Sequence, residues 1–456
     1  MDGVLEVSMA HSTHQEAMAE ALSDLKLIDT HEHLAPEAVR FAITLDFTYL
    51  LPHYLTSDLI SAGMSVHDLE AIRTPGRAMM QAMEQSRICP HDTGYPFPQR
   101  LPAVELPLQE KWQRFAPFWE KTRNTAYARG ILIAIRDLFE IDDLNERTYQ
   151  ALSEALQSSN RKGWYRYVLN ERAGIEVSVQ DFGTTQVDRD LFVPAIVFDN
   201  FVDIRDPVDL QRLESQTDTA IQSLDDLIQA LDVDMARQID QGMVAVKTAL
   251  AYERSIHYGE ATRHDAERAF NRLFRHPEQR LSWEEGKPLQ DYMMHQIIRR
   301  AIEYDRPIQV HTGLHEGNGN VITNSNPTLL TNLFLQYPKA RFDIFHAGYP
   351  YYSELAVLAK TFPNVYADMV WVYSISPWMA ARILHEWLEM IPVNKILGFG
   401  GDYVIVEGAY AHSRLARQVV ARVLAEKVGE GYCTEWEALT FGQMILRENA
   451  RDLFGL

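Results

Sequence analysis

The stretch Leu25-Lys-Leu-Ile-Asp-Thr-His-Glu-His-Leu34 decides the fold. Its apolar start reads as a buried strand, and it ends in His31-x-His33. Side chains alternate faces along a strand, so residues two apart point the same way. Two imidazoles therefore leave one strand end side by side, and neutral imidazole is a common nitrogen ligand for divalent metals. Alone, the pair fits a polar strand cap equally well. Its weight comes from the strands that follow.

Seven more apolar runs recur down the chain: Ile175–Val179, Phe192–Phe198, Met243–Lys247, Pro307–His311, Arg341–His346, Asn364–Asp368 and Lys395–Phe399. Helical patterns separate the later ones, as in Ile221, Leu224, Leu227, Ile228, Leu231, Met235 and Ile239, spaced three or four apart. Gly242 stands where that helix should stop. Eight strands alternating with helices predict an α/β fold, a (β/α)8 TIM barrel, in preference to an open doubly wound sheet. No glycine-rich dinucleotide fingerprint or Walker loop follows an early strand, so nucleotide binding is not expected. The first two strands are separated by a large, mostly helical insertion, with helical periodicity over 36–85 and 109–160 and a proline-rich loop over 87–108. The expected organisation is an N-terminal helix and first strand over 1–34, the insertion over 35–165 above the barrel mouth, and the rest of the barrel with C-terminal helices over 166–456.

Composition narrows the function. The 456 residues carry 43 basic and 63 acidic side chains, a formal charge of −20. That disfavours nucleic acid and anionic membrane surfaces as partners and leaves a small molecule as the expected one. Two cysteines, Cys89 and Cys433, exclude a disulfide framework and point to a reducing, cytoplasmic setting. Neither a signal peptide nor a transmembrane run is expected, and residues 1–13 read as a loose leader. The extra helical layer offers an interface, so a homo-oligomer is expected.

In such a barrel, active sites lie at the carboxyl ends of the strands. Those ends carry His31 and His33, then Lys247, His311, His346 and Asp402. Each position has an ordinary reading: Asp402 could cap the next helix, and Lys247 could reach solvent. Together they form a metal-competent and base-competent set that the barrel would gather on one axis.

This order of His-x-His, Lys, His, His and Asp resembles the amidohydrolase superfamily, and within it the amidohydrolase-related metal-dependent hydrolases. The runs Lys247-Thr-Ala-Leu-Ala-Tyr-Glu-Arg254, His311-Thr-Gly-Leu314 and His346-Ala-Gly-Tyr-Pro-Tyr-Tyr-Ser-Glu354 are similar to the amidohydrolase-like half of nodulin/glutamine-synthetase fusion proteins. More distantly, chain size and the insertion resemble uronate isomerases. The resemblance implies one or two divalent metals, zinc first, with manganese or iron as alternatives. It implies a first metal on His31, His33 and Asp402, and a second on His311 and His346, unless one of these binds substrate. Lys247 would be a carbamylated bridge or, with one metal, a substrate-binding cation. The implied reaction is hydrolysis of a C–N bond in a small carboxylated molecule, with Asp402 moving the water proton and His346 helping to polarise the carbonyl. A metal-dependent decarboxylase or a sugar-acid isomerase on the same scaffold is the alternative. Arg254 is expected to bind a substrate carboxylate, with Tyr252 and Trp371 as further substrate contacts; a surface salt bridge and plain packing are the competing readings.

Overall fold

Strand β1 (Leu27–Glu32) is buried along its whole length, as a strand covered on both faces must be. It is followed by β2 (Ile175–Gln180), β3 (Phe192–Val197), β4 (Ala245–Thr248), β5 (Ile308–Val310), β6 (Phe342–Ile344), β7 (Val365–Asp368) and β8 (Ile396–Leu397). The computed structural model describes residues 14–41, 43–73, 106–275 and 278–456. All eight strands are parallel and lie side by side in chain order. The sheet curls back on itself beyond β8: Thr30 N–H donates to Phe399 O at 3.0 Å, and Asp402 N–H donates to His31 O at 2.8 Å. The chain is thus a (β/α)8 barrel.

Helices cover the outside for the reason the periodicity implies. The helix Leu224–Asp240 buries Leu224, Leu227, Ala230, Leu231 and Met235 on one face. Gly242 follows with φ +89°, a left-handed conformation that ends the helix without a Cβ clash. At the far end of the barrel, the last helix, Asn449–Phe454, plugs the opening. Its Ala450, Leu453 and Phe454 pack with Ile28, Val179, Ala195, Ala245 and Leu397 from five strands. Arg341, just ahead of β6, donates to Leu453 O at 2.9 Å and fixes that plug.

Between β1 and β2 the described residues are helical, including Leu55–Ser61, Val66–Ile72, Leu108–Thr122, Ala126–Phe139 and Tyr149–Ser158. The periodic face expected over 36–85 is split into short helices, with Pro52 and the Ala62-Gly63 turn between pieces. The leader 1–13, Cys89 and nearly all of the proline-rich loop lie outside the described residues. Buried polar contacts tie this helical segment to the barrel. Arg40, 2% exposed, pairs at 2.8 Å with Glu407, which also accepts from Trp164 Nε1–H at 2.9 Å. At the mouth, the Tyr54 hydroxyl donates to Asp402 O. Among the described residues, no helix is long and apolar enough to cross a membrane.

Candidate active site

The strand ends meet as the topology requires. His31 and His33 project from the end of β1 with their Nε2 atoms 3.1 Å apart. Asp402 Oδ1 lies 3.4 Å from the first and 3.2 Å from the second. Lys247 on β4 brings Nζ to 3.3 Å from His31 Nε2, its ammonium 3.8 Å from the centre of the Phe345 ring. After β5 and β6, His311 Nδ1 and His346 Nε2 meet at 3.0 Å, and His346 Nδ1 is 3.9 Å from Asp402 Oδ2. His31, Lys247, His311, His346 and Asp402 are all buried, while His33 is partly exposed.

Hydrogen bonding assigns the imidazole tautomers, and the result is informative. His311 Nε2 is 3.1 Å from Leu314 O, and a carbonyl only accepts, so the proton is on Nε2 and Nδ1 keeps its lone pair. His346 Nδ1 is 3.2 Å from Val370 O, so its proton is on Nδ1 and Nε2 keeps its lone pair. Two lone pairs therefore face each other with no proton between them. Adding a proton is opposed by burial, which pushes His346 down to about 4 and His311 well below the ordinary histidine value. A shared cation would relieve the clash. The β1 pair is half-fixed in the same sense. His33 Nδ1 donates to Asp181 O at 3.0 Å, which points Nε2 at His31 and at Asp402 Oδ1, 3.2 Å away, where a proton or a cation can be held. His31 Nδ1 has no hydrogen-bond partner. Nitrogen lone pairs and a carboxylate oxygen converging in a buried cluster are a donor set that fits a divalent cation.

The charges agree with that use. Burial opposes ionisation of Asp402, yet the His33 hydrogen bond and the nearby His31 and His346 hold it well below the usual carboxylate range. Burial lowers the Lys247 amine, partly offset by Asp181, Asp402, Asp343 and Asp199. His346 (φ +60°), Trp371 (φ +69°) and Asp402 (φ +59°) all stand in the left-handed region that non-glycine residues avoid. Such conformations cost roughly 1–3 kcal/mol each and tend to gather at functional sites.

Of the expected substrate contacts, two adjoin the cluster. The Tyr252 ring sits 4.6 Å from that of His311, and its hydroxyl accepts from Glu316 N–H at 3.0 Å. Trp371 lies edge-on to His346 at 5.2 Å and stacks on Tyr54 at 4.5 Å. Arg254 is a correction. Its nitrogens are spent on Asp291 Oδ1 (2.7 Å), Gln290 Oε1 (2.6 Å), Ser255 O (3.0 Å) and His257 O (3.1 Å). A 6% exposed guanidinium so engaged has no fork to offer a substrate; it braces the loop after β4 against the helix Trp283–Glu303.

Sequence reasoning missed Asp181, which directly follows β2 and would have surfaced had the strand-end rule been applied there. Its carboxylate joins His31 and His33 in a set of donor atoms within 4.8 Å of one another. Asp402 Oδ1 lies nearer the two Nε2 atoms, at 3.4 and 3.2 Å. Asp181 Oδ2 is 3.9 Å from His33 Nδ1, the nitrogen already donating to Asp181's own carbonyl. Asp199, after β3, was also missed; it accepts from Ala249 N–H at 2.7 Å and fixes the turn beyond Lys247. His53, from the helical segment, approaches the His33 ring at 6.2 Å, a proximity with no sequence signal.

Comparison with known proteins agrees with the fold. The sequence model of the amidohydrolase family matches residues 203–456. Protein fluG of Emericella nidulans is 29% identical over 226 residues, which cover 48% of this chain. The chain spans only about a quarter of that relative (26%). A glucuronate isomerase from Caulobacter crescentus superposes with a TM-score of 0.74 at 18% identity, over 98% of this chain and 94% of its own. A Lactobacillus casei protein assigned as a metal-dependent hydrolase gives 0.64 at 18% identity, over 96% and 97%. At these identities the two structures speak to fold alone.

Proposed function

The chain belongs to the amidohydrolase family, and from that premise we propose that it is a metal-dependent hydrolase that uses water to cleave a C–N bond of a small carboxylated molecule. The observation that carries this reading is the pair of opposed lone pairs on His311 Nδ1 and His346 Nε2, 3.0 Å apart. His31, His33 and Asp402 would hold one divalent cation, zinc first among candidates, and His311 and His346 a second. Such cations supply Lewis-acid polarisation of a carbonyl oxygen and acidify water.

The chain's own residues do the rest. Asp402 Oδ1 faces the two β1 imidazoles, which leaves Oδ2 to take a proton from the attacking water and return it to the leaving nitrogen. Lys247, its amine pKa lowered by burial, has two uses. As a neutral amine it can add carbon dioxide and lose a proton, giving a carbamate that would serve as a further ligand; as an ammonium it can meet a substrate carboxylate, the task Arg254 does not perform. Tyr252 and Trp371 would wall the pocket, and Tyr54 of the helical segment reaches its mouth. We further propose the division into 1–34, 35–165 and 166–456, with the middle part over the barrel mouth.

Incubating the metal-loaded protein with a panel of small carboxylated amides tests the proposal. Amine or ammonia release by the native chain, absent from Asp402→Asn, is expected. A second reading, sugar-acid isomerisation, is favoured by the near-complete coverage of the glucuronate isomerase, insertion included. Conversion of uronates from aldose to ketose without change of mass, and no amine release, would replace the hydrolase reading with that one.

A further inference from the structure

Asp402 is held in place by an unusually complete set of backbone contacts. Every backbone N–H and C=O from Gly401 to Tyr403 has a partner. Gly401 N–H donates to Asp29 Oδ1 at 2.9 Å, and Gly401 O accepts from His412 Nδ1–H at 3.0 Å. Asp402 N–H donates to His31 O at 2.8 Å, and Asp402 O accepts from the Tyr54 hydroxyl. Tyr403 N–H donates to Glu32 Oε2 at 2.8 Å, and Tyr403 O accepts from His33 N–H at 3.0 Å.

Two side chains in this set, Glu32 and His412, bond the backbone on either side of Asp402, and Glu32 also interacts with buried Asp29. Glu32 is fully buried between the two β1 imidazoles in sequence, yet it turns away from them toward Tyr403. It also closes over Gly401: a Cβ there would stand 1.7 Å from Glu32 Oε1, so any larger residue has to push the Glu32 carboxylate aside. His412, equally buried, comes from the helix Val406–Gly429 and grips the same turn from behind. Its ring packs between Phe399 and Tyr373, with centroids at 5.5 and 5.6 Å. Left to itself, a non-glycine residue at φ +59° relaxes toward negative φ. That rotation would swing the Asp402 carboxylate off the imidazoles.

We propose that Glu32 and His412 are positioning residues that hold Asp402 in its left-handed conformation and so keep its carboxylate on the His31–His33 pair. The inference rests on the metal-site reading only for its functional consequence; the positioning itself concerns the chain alone.

The test uses the full chain with Glu32→Ala, the conservative Glu32→Gln, and His412→Phe. Crystal structures of the metal-free proteins report Asp402 φ and its distance to His33, and competition with a chromophoric chelator reports zinc affinity. Glu32→Ala and His412→Phe are expected to turn Asp402 to negative φ and to weaken zinc binding about 10- to 100-fold, the range typical of groups that orient a ligand from behind. Glu32→Gln, which keeps the acceptor for Tyr403 N–H, should restore both. If Glu32→Ala does not fold, His412→Phe decides by the same two readouts. Folded variants that leave Asp402 at φ near +59° and 3.2 Å from His33 would overturn the proposal. If the native chain binds no zinc, the metal reading falls while the crystallographic readout still decides the positioning.

Discussion

The two imidazole pairs of the site are built in opposite ways. His31 and His33 come from one strand end, two residues apart, and share Asp402 Oδ1 at 3.4 and 3.2 Å. His311 and His346 come from different strands 35 residues apart and meet at 3.0 Å only because β5 and β6 are neighbours. The first pair is set side by side by local sequence, and barrel closure brings it its carboxylate from the far end of the chain. The second is assembled by packing, and its tautomers are set by the backbone carbonyls of Leu314 and Val370. Yet the second pair carries the sharper signal for a bound cation, because both of its tautomers are fixed and only one is fixed in the first. The lesson is that a recognisable motif and a chemically decisive geometry need not coincide.

The largest expected effect breaks what the pairs have in common. Asp402→Asn removes the proton acceptor while keeping the shape, and turnover should fall about 10²- to 10⁴-fold. Melting temperature should stay close to that of the native chain. Activity within threefold of native would show that the carboxylate does no proton transfer.

This contrast also explains what was legible in the sequence. Eight apolar runs with strand spacing disclosed the barrel, and the His-x-His with four later strand-end residues disclosed the cluster. What stayed hidden was carried by backbone groups: the Asp181, Leu314 and Val370 carbonyls that orient three imidazoles leave no trace in residue type. Arg254 was misread for a related reason. Its position after β4 suggested an anion site, but its direction is set by Gln290 and Asp291 on a helix some 36 residues later. The short helices between Glu37 and Ile72 were blurred because amphipathic spacing survives the turns between them.

A second prediction sharpens the comparison on the packed side. Arg254→Met breaks a buried ion pair whose partners are 6% and 5% exposed, so unfolding free energy should drop by about 3 kcal/mol, in the range for orphaning a buried charge. Lys287, 2.5 Å from Asp291, softens the loss. KM for a carboxylated substrate should change little; a KM raised tenfold or more with stability unaltered would restore the anion-binding role.

A smaller effect concerns Asp199, behind Lys247. Burial pushes its carboxyl up to about 7 from 3.8, against the Thr248 and Ala249 hydrogen bonds, with Asp181 and Lys247 also acting on it. The folded pKa is raised, so its contribution to stability is complete below about 3.8 and is lost as pH rises through about 7. Denaturant unfolding at pH 5 and pH 8 should therefore show Asp199→Asn gaining on the native chain by on the order of 1 kcal/mol at the higher pH. An equal difference at both pH values would contradict this.

The most direct test of the cation-centred site is metal content per chain, by elemental mass spectrometry on protein prepared without chelators. Two equivalents in the native chain, falling to one in His346→Gln, are the predicted result. One equivalent or none in the native chain, unchanged by His346→Gln, would mean that the facing lone pairs of His311 and His346 hold no metal.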